Sequence, residues 1–207
     1  MPESSPIARS PIRTEAPVTV RSGWEVSLRC SQSALRLADQ SPLAKVLVRA
    51  NPSGPVAGRL GVPFGQAARN GHQMLVIGSG PGEWLLLGDV GTAAEMIAGV
   101  EASDDALVSV LDFTHGRALV RLWGAAAPDT LSKLCAVDFA ERVTLNGAAF
   151  RSSVAELTTD VVRDDVGGTP SYLLHCERSS GQYLFDVLLE AGREFGIEQE
   201  GFERERT

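Results

Sequence analysis

Residues 108–137, VSVLDFTHGRALVRLWGAAAPDTLSKLCAV, constrain the fold more than any other stretch of the chain. Two apolar runs flank a short polar cluster, and Gly124 separates the second run from a segment with helical spacing. The pattern predicts strand, tight turn, strand, glycine and helix in direct succession. In that helix Leu131, Leu134 and Cys135 share the inward face.

The same alternation of strand pairs and helices recurs along the chain. MLVIG and EWLLLG, around SGPG, predict a β-hairpin ending at Gly88. TAAEMIAGVEA follows as a helix with Met96, Ile97 and Val100 on one face. ALVSVLDF and RALVRLWG predict a second hairpin. FRSSVAEL, TTDVVRD and SYLLHC predict three further strands, and GQYLFDVLLEAGREFG a last helix with Leu184, Val187, Leu188 and Ala191 buried. Ser41 and Pro42 have the residue types of a helix N-cap and first turn, so a helix is expected to start there. NPSGPVAGRLGVPFGQ, rich in Gly and Pro, is expected to be irregular.

Trp84-Leu85-Leu86-Leu87 and Tyr172-Leu173-Leu174-His175 each lead into a helix, and Ile97 and Val100 align with Phe185 and Leu188 at the same offset. The expectation is an α+β protein with mixed and antiparallel sheets, packed helices and two similar α/β halves. Residues 1–36 are expected to be a flexible N-terminal arm, being proline- and serine-rich up to residue 22. Overlapping its end, 24–37 alternates weakly and could also be an edge strand or a partner-binding extension. The folded body is expected over 37–197, in halves of about 37–106 and 107–197, and 198–207 as a charged tail.

The net charge of −7 argues against nucleic acid as the main partner. No run approaches the roughly 18 apolar residues of a spanning helix, and the polar N-terminus lacks a signal-peptide core. The expected address is the cytoplasm, with no membrane partner. Lysine occurs only at Lys45 and Lys133, so the basic residues are nearly all arginine. Either codon bias or bidentate contacts at a subunit interface accounts for that. Cys30, Cys135 and Cys176 lack zinc spacing, and the last two read as core.

GSGPGEW sits between strands and lacks the third glycine of a dinucleotide loop. His72, His115 and His175 form no HxH or HxxxH pair. Asp112, Thr114, His115, Gly116 and Arg117 form the densest polar cluster. A carboxylate, a hydroxyl and an imidazole in one turn suit acid–base work, but Asp and Thr also close turns, and Gly116 suits a left-handed position. Asp160, Asp164 and Asp165 flank VVR, as a solvated loop does.

The stretch LDFTHGRALVRLWGAAAPDTLSKLCAVDF, with Gly124 at its centre, resembles the gamma subunit of heterotetrameric sarcosine oxidase. It is more distantly similar to the folate-binding module of the glycine-cleavage aminomethyltransferases. Ser41-Pro42-Leu43, Gly82-Glu83-Trp84-Leu85-Leu86, Arg151-Ser152-Ser153 and Tyr172-Leu173-Leu174 extend the likeness over residues 41–195. The resemblance implies an aminomethyltransferase-like fold in a non-catalytic subunit. That subunit would pack against the alpha subunit of a complex that also holds beta and delta. Such a complex converts sarcosine to glycine with hydrogen peroxide and passes the one-carbon unit to tetrahydrofolate. FAD, FMN, NAD, zinc and tetrahydrofolate would then belong to the other chains, and none to this one. The resemblance also offers an alternative, a stand-alone folate-binding or one-carbon-transfer protein. Asp160 falls near the place of the aminomethyltransferases' catalytic aspartate, without the paired glycines, and is the folate candidate.

Overall fold

The computed structural model describes residues 6–70, 74–101 and 107–202. It begins with a hairpin of β1 (Val18–Arg21) and β2 (Trp24–Ser27). Next come β3 (Arg36–Asp39), β4 (Ala44–Arg49), α1 (Pro55–Leu60), β5 (Ala67–Arg69), β6 (Leu75–Gly80), β7 (Glu83–Gly88) and α2 (Ala93–Glu101). The second part has β8 (Ser109–Asp112), β9 (Arg117–Trp123), α3 (Ala127–Ser132), β10 (Ala149–Val154), β11 (Leu157–Arg163), β12 (Ser171–Glu177), α4 (Gly181–Gly192) and β13 (Glu198–Glu200).

The apolar runs are nearly continuous because their strands are covered on both faces. One sheet has the order β5-β6-β7-β4-β8 and the other β10-β11-β12-β9-β3-β13. Leu75, Ile77, Leu85 and Leu87 of the first pack against Leu119, Ala149, Val162 and Leu173 of the second. The intervening residues point the other way. Val46, Val48, Val76 and Leu86 meet Val56 of α1 and Val100 of α2. Val120, Leu122, Val161, Tyr172 and Leu174 meet Leu131 of α3 and Leu184 and Leu188 of α4. The layers are therefore helix, sheet, sheet, helix, and each central strand alternates between two apolar environments.

The α+β class and the two similar halves stand. β4-α1-β5-β6-β7-α2 and β9-α3-β10-β11-β12-α4 run in the same order, and β4 and β9 occupy the same place in their sheets. The halves are, however, interlocked. ALVSVLDF and RALVRLWG do not pair with each other: β8 lies against β4, whereas β9 lies between β12 and β3. Residues 113–116 thus carry the chain from one sheet to the other. A division at residues 106 and 107 separates neither half cleanly, since β8 completes the first sheet and β3 belongs to the second. The error has a physical source, because two apolar runs around a short turn look alike whether they pair or diverge.

Four further expectations are corrected. No helix starts at Ser41; that residue sits in a turn, its hydroxyl accepting the Leu119 N–H at 3.1 Å, and β4 follows. The Gly/Pro-rich connection contains α1, with Pro55 in its first turn and Gly61 closing it at φ 63°. The arm is anchored from Ala8 onward, where Ala8 bridges Trp24 and Ile12, Trp24 and Val26 are buried. The strand offered as an alternative within 24–37 is there as β2, while Ile12 stands alone in a polar stretch and gave no sign of its burial. The charged tail contributes β13, parallel to β3, with Glu200 buried beside Arg36. Residues 1–5 and 203–207 lie outside the described residues, as does His72.

Gly124 ends β9 with φ 137°, and a Cβ there would be driven into the Ala34 carbonyl oxygen. Gly124→Ala is expected to cost about 3 kcal/mol, from backbone strain and the clash together. Urea unfolding checks this, and a change below about 0.5 kcal/mol would remove the requirement for glycine.

Candidate functional site

Residues 112–117 form a crossover between the sheets, and their polar groups are consumed in holding it. The Asp112 carboxylate accepts the Thr114 N–H at 2.9 Å, an Asx turn. The Thr114 hydroxyl accepts the Lys45 N–H at 3.1 Å, while the Lys45 carbonyl accepts the Phe113 N–H at 2.7 Å. His115 turns away from both and stacks on Trp24, ring centres 4.7 Å apart and planes 9° apart. Arg117 lies 5.6 Å over the Phe113 ring and pairs with Glu177 at 3.0 Å. Gly116 is not left-handed, contrary to expectation. It is small because a Cβ would come within 3.0 Å of the Phe113 ring. The three functional groups therefore do not converge on one point, and no acid–base array forms here.

Beneath this crossover lies Lys45, fully buried. Its ammonium donates to the carbonyl oxygens of Ser41 at 2.7 Å, Leu43 at 2.9 Å and Thr114 at 3.2 Å. Three donors meet three acceptors, the count the protonated amine requires. Burial pushes its pKa down to about 7, opposed by the charges of Asp39 and Asp112. The sequence held a signal for this residue, since it is one of two lysines and interrupts an apolar strand.

A row of ionisable groups crosses three neighbouring strands of the second sheet. Register places Arg151 of β10 opposite Asp160 of β11, and Asp160 opposite His175 of β12. Arg151 grips both carboxylate oxygens, Nε to Oδ1 at 2.7 Å and Nη2 to Oδ2 at 3.1 Å. His175 Nδ1 stands 3.5 Å from Oδ2 and has no hydrogen-bond partner among the described residues. Burial pulls the His175 pKa down to about 4, Asp160 opposes this, and Arg117, Lys45 and Arg151 add to it. His175 is thus a neutral imidazole at pH 7, and the folate candidate Asp160 has its charge already matched by Arg151.

Asp164 and Asp165 are not members of a solvated loop. The Asp164 Oδ2 accepts from Arg69 Nη2 and Arg121 Nη2, each at 2.6 Å. Burial pushes that carboxyl up, but Arg121 and Arg69 outweigh it and hold it below the usual carboxylate range. Arg163 pairs with Asp165 through two bonds of 3.0 Å. Two arginines thus make bidentate contacts inside the chain, Arg151 with Asp160 and Arg163 with Asp165. The partners of Asp164 were invisible in sequence because Arg69 and Arg121 lie 95 and 43 positions from it. Among the described residues no three His, Cys, Asp or Glu side chains converge as metal ligands do. Cys135 and Cys176 are buried free thiols, and Cys30 is an exposed one.

No protein-family model and no curated sequence matches the chain. Solved structures do. A chain of the heterotetrameric sarcosine oxidase from Corynebacterium sp. U-96, in complex with pyrrole 2-carboxylate, superposes with a TM-score of 0.66 at 23% identity. The overlap covers 86% of this chain and 90% of that one. The glycine cleavage system aminomethyltransferase T from Bartonella henselae superposes with a TM-score of 0.70 at 16% identity, over 90% of this chain and 56% of that one. The architecture is therefore aminomethyltransferase-like. Among the described residues no helix is long and apolar enough to cross a membrane.

Two predictions follow from the buried charges. The folded-state pKa of His175 lies below its unfolded value near 6.5, so its contribution to stability is complete above pH 6.5 and is lost as pH falls toward 4. Wild type is expected to lose on the order of 3 kcal/mol across that window that His175→Gln retains. Parallel urea-unfolding profiles for the two proteins would refute it. Lys45→Met leaves three buried carbonyls without a donor and is expected to cost about 2–4 kcal/mol. A variant with an unchanged or higher thermal midpoint would show that the ammonium is not a clasp.

Proposed function

We propose that this chain is the non-catalytic gamma subunit of a heterotetrameric sarcosine oxidase, acting in assembly. The complex would demethylate sarcosine oxidatively to glycine, release hydrogen peroxide and transfer the one-carbon unit to tetrahydrofolate in the cytoplasm. The alpha subunit would be the direct partner, with beta and delta completing the assembly. FAD, FMN, NAD, zinc and tetrahydrofolate would be held by those chains.

The observation that carries this reading is one of extent. The overlap takes in 86% of this chain and 90% of the sarcosine oxidase chain, so the two are nearly equal in length, whereas the chain spans 56% of the aminomethyltransferase. The polar clusters support the same reading. Asp160 is occupied by Arg151, His175 is neutral and buried, and the side chains of 112–117 are engaged by Trp24, Lys45, Glu177 and the segment's own residues. None is left poised for a substrate.

Co-expression with the alpha subunit of such an oxidase is the test. The expected outcome is a single gel-filtration peak containing both chains, and separate elution defeats the proposal. The alternative, a stand-alone folate-binding protein, is tested on the isolated chain by titration calorimetry with tetrahydrofolate. No heat is expected at high micromolar protein. Saturable heat that Asp160→Ala abolishes would transfer the assignment to folate binding.

A further inference from the structure

The two halves can be laid on each other at an offset of 88 residues, which carries β7 onto β12 and the start of α2 onto that of α4. The frame is common, but the connection after the first helix of each half is not. It runs through 133–148 between α3 and β10, and only through 61–66 between α1 and β5. In the second half the longer connection closes the outer layer. Leu134 packs against the core there, and its carbonyl accepts the Ala155 N–H at 2.8 Å. Tyr183 of α4 reaches the same turn, its hydroxyl donating to the Ala155 carbonyl at 3.3 Å. The first half has neither device: Glu95 stands where Tyr183 would, and Gly99 where Val187 would.

What results is a cavity of about 480 Å³ on the helix side of the first sheet. Leu60 of α1, Met74 and Val76 along β6, and Met96 and Val100 of α2 give it an apolar lining continuous with the core beneath the two helices. Gly99 lines it as well, and a Cβ there would meet nothing within 4 Å. The volume falls in the range of small-molecule sites, roughly 300–1,000 Å³, which join an apolar lining to a few polar groups. Here those groups are acidic at one end. Asp89 and Glu95 are exposed where α2 begins and make no ion pair among the described residues. Arg59 lies at the other end of α2, where its Nη2 donates to the Val100 carbonyl at 3.0 Å.

The second half shows what such a space accepts, a ring with a hydrogen-bond donor at its far end, supplied by Tyr183. In the first half the ring is missing and two carboxylates replace the carbonyl as acceptors. We infer that the cavity between α1 and α2 binds a small aromatic amine, its ring against Met74, Val76 and Met96 and its ammonium toward Asp89 and Glu95. Burial of the ring and its contacts with the two thioethers supply the affinity. The carboxylates select the sign of the charge, since an aromatic acid would meet two like charges at the same end. This site lies apart from the crossover and from the row of Arg151, Asp160 and His175, and it does not depend on the subunit reading.

The experiment titrates the full chain, carrying carbon-13 methyl-labelled methionine, with 2-phenylethylammonium. The Met74 and Met96 methyl resonances are expected to shift together and to saturate at about millimolar concentration. Gly99→Val installs the residue of the second half and is expected to abolish saturation without lowering the thermal midpoint. The double variant Asp89→Asn, Glu95→Gln leaves the cavity in place and is expected to weaken binding about fivefold or more. Wild type should bind 3-phenylpropionate more weakly than the amine by at least as much. If Gly99→Val lowers the midpoint, the double variant decides. No saturable shift at about tenfold higher concentration overturns the site, as does binding that neither variant changes. Equal affinity for the amine and the carboxylate overturns the ligand class. Shifts of both methyls on adding the alpha subunit, with none from the amine, overturn the small molecule in favour of a partner's side chain. An amine that fails to bind leaves the subunit assignment intact, because co-expression decides that separately.

Discussion

The packing of one sheet directly on the other is the constraint from which the rest of this structure follows. Leu75, Ile77, Leu85 and Leu87 can be dry only if Leu119, Ala149, Val162 and Leu173 cover them. Once that layer forms, the opposite faces of the same strands are left apolar and call for helices, which α1 and α2 supply on one side and α3 and α4 on the other. Both sheets are therefore buried twice, and polar groups at the margins between them cannot be left to water. Lys45, Asp160, His175 and Asp164 sit in such margins, and each is met by a charge or by carbonyl oxygens.

This arrangement explains which parts of the molecule could be read from the amino-acid order. The runs LVI, LLL, ALV and YLLHC identify central strands because two-sided burial demands uninterrupted apolar residues. α2, α3 and α4 were legible through their one-sided spacing, and the repeat through matching strand–helix units at Trp84 and Tyr172. Pairing was not legible. Whether VSVLD and RALVRLW face each other or part company depends on β4, β3 and β12, which are far away in the chain. The N-terminal segment was legible only in part: the alternation after Trp24 pointed to a strand, which β2 is, whereas Ile12 is buried by the body it lies on and its own surroundings in the sequence carry no trace of that.

The candidate site was legible in its residues and illegible in their relations. Asp112, Thr114, His115, Gly116 and Arg117 are where the sequence concentrates polar chemistry, yet Trp24, Lys45 and Glu177 decide what each of them does. Asp160 likewise looks available until Arg151, nine residues earlier, is brought opposite by the turn at Ala155 and Glu156, both left-handed at φ 48° and 66°. Sequence proximity failed as a guide to function here because antiparallel register, rather than adjacency, selects the neighbours of a charged group.

The exchange of β3 and β8 has a consequence for how the molecule can come apart. Each sheet borrows a strand from beyond its own repeat, so the two halves are linked as a buckle is to its strap. Neither could be excised as an independent module without uncovering a strand edge. The contacts that close the fold join distant parts of the chain, so their formation must wait for both sheets, and folding should be slow and all-or-none. A lineage that began with two equal units would, after this exchange, no longer be free to shed one of them.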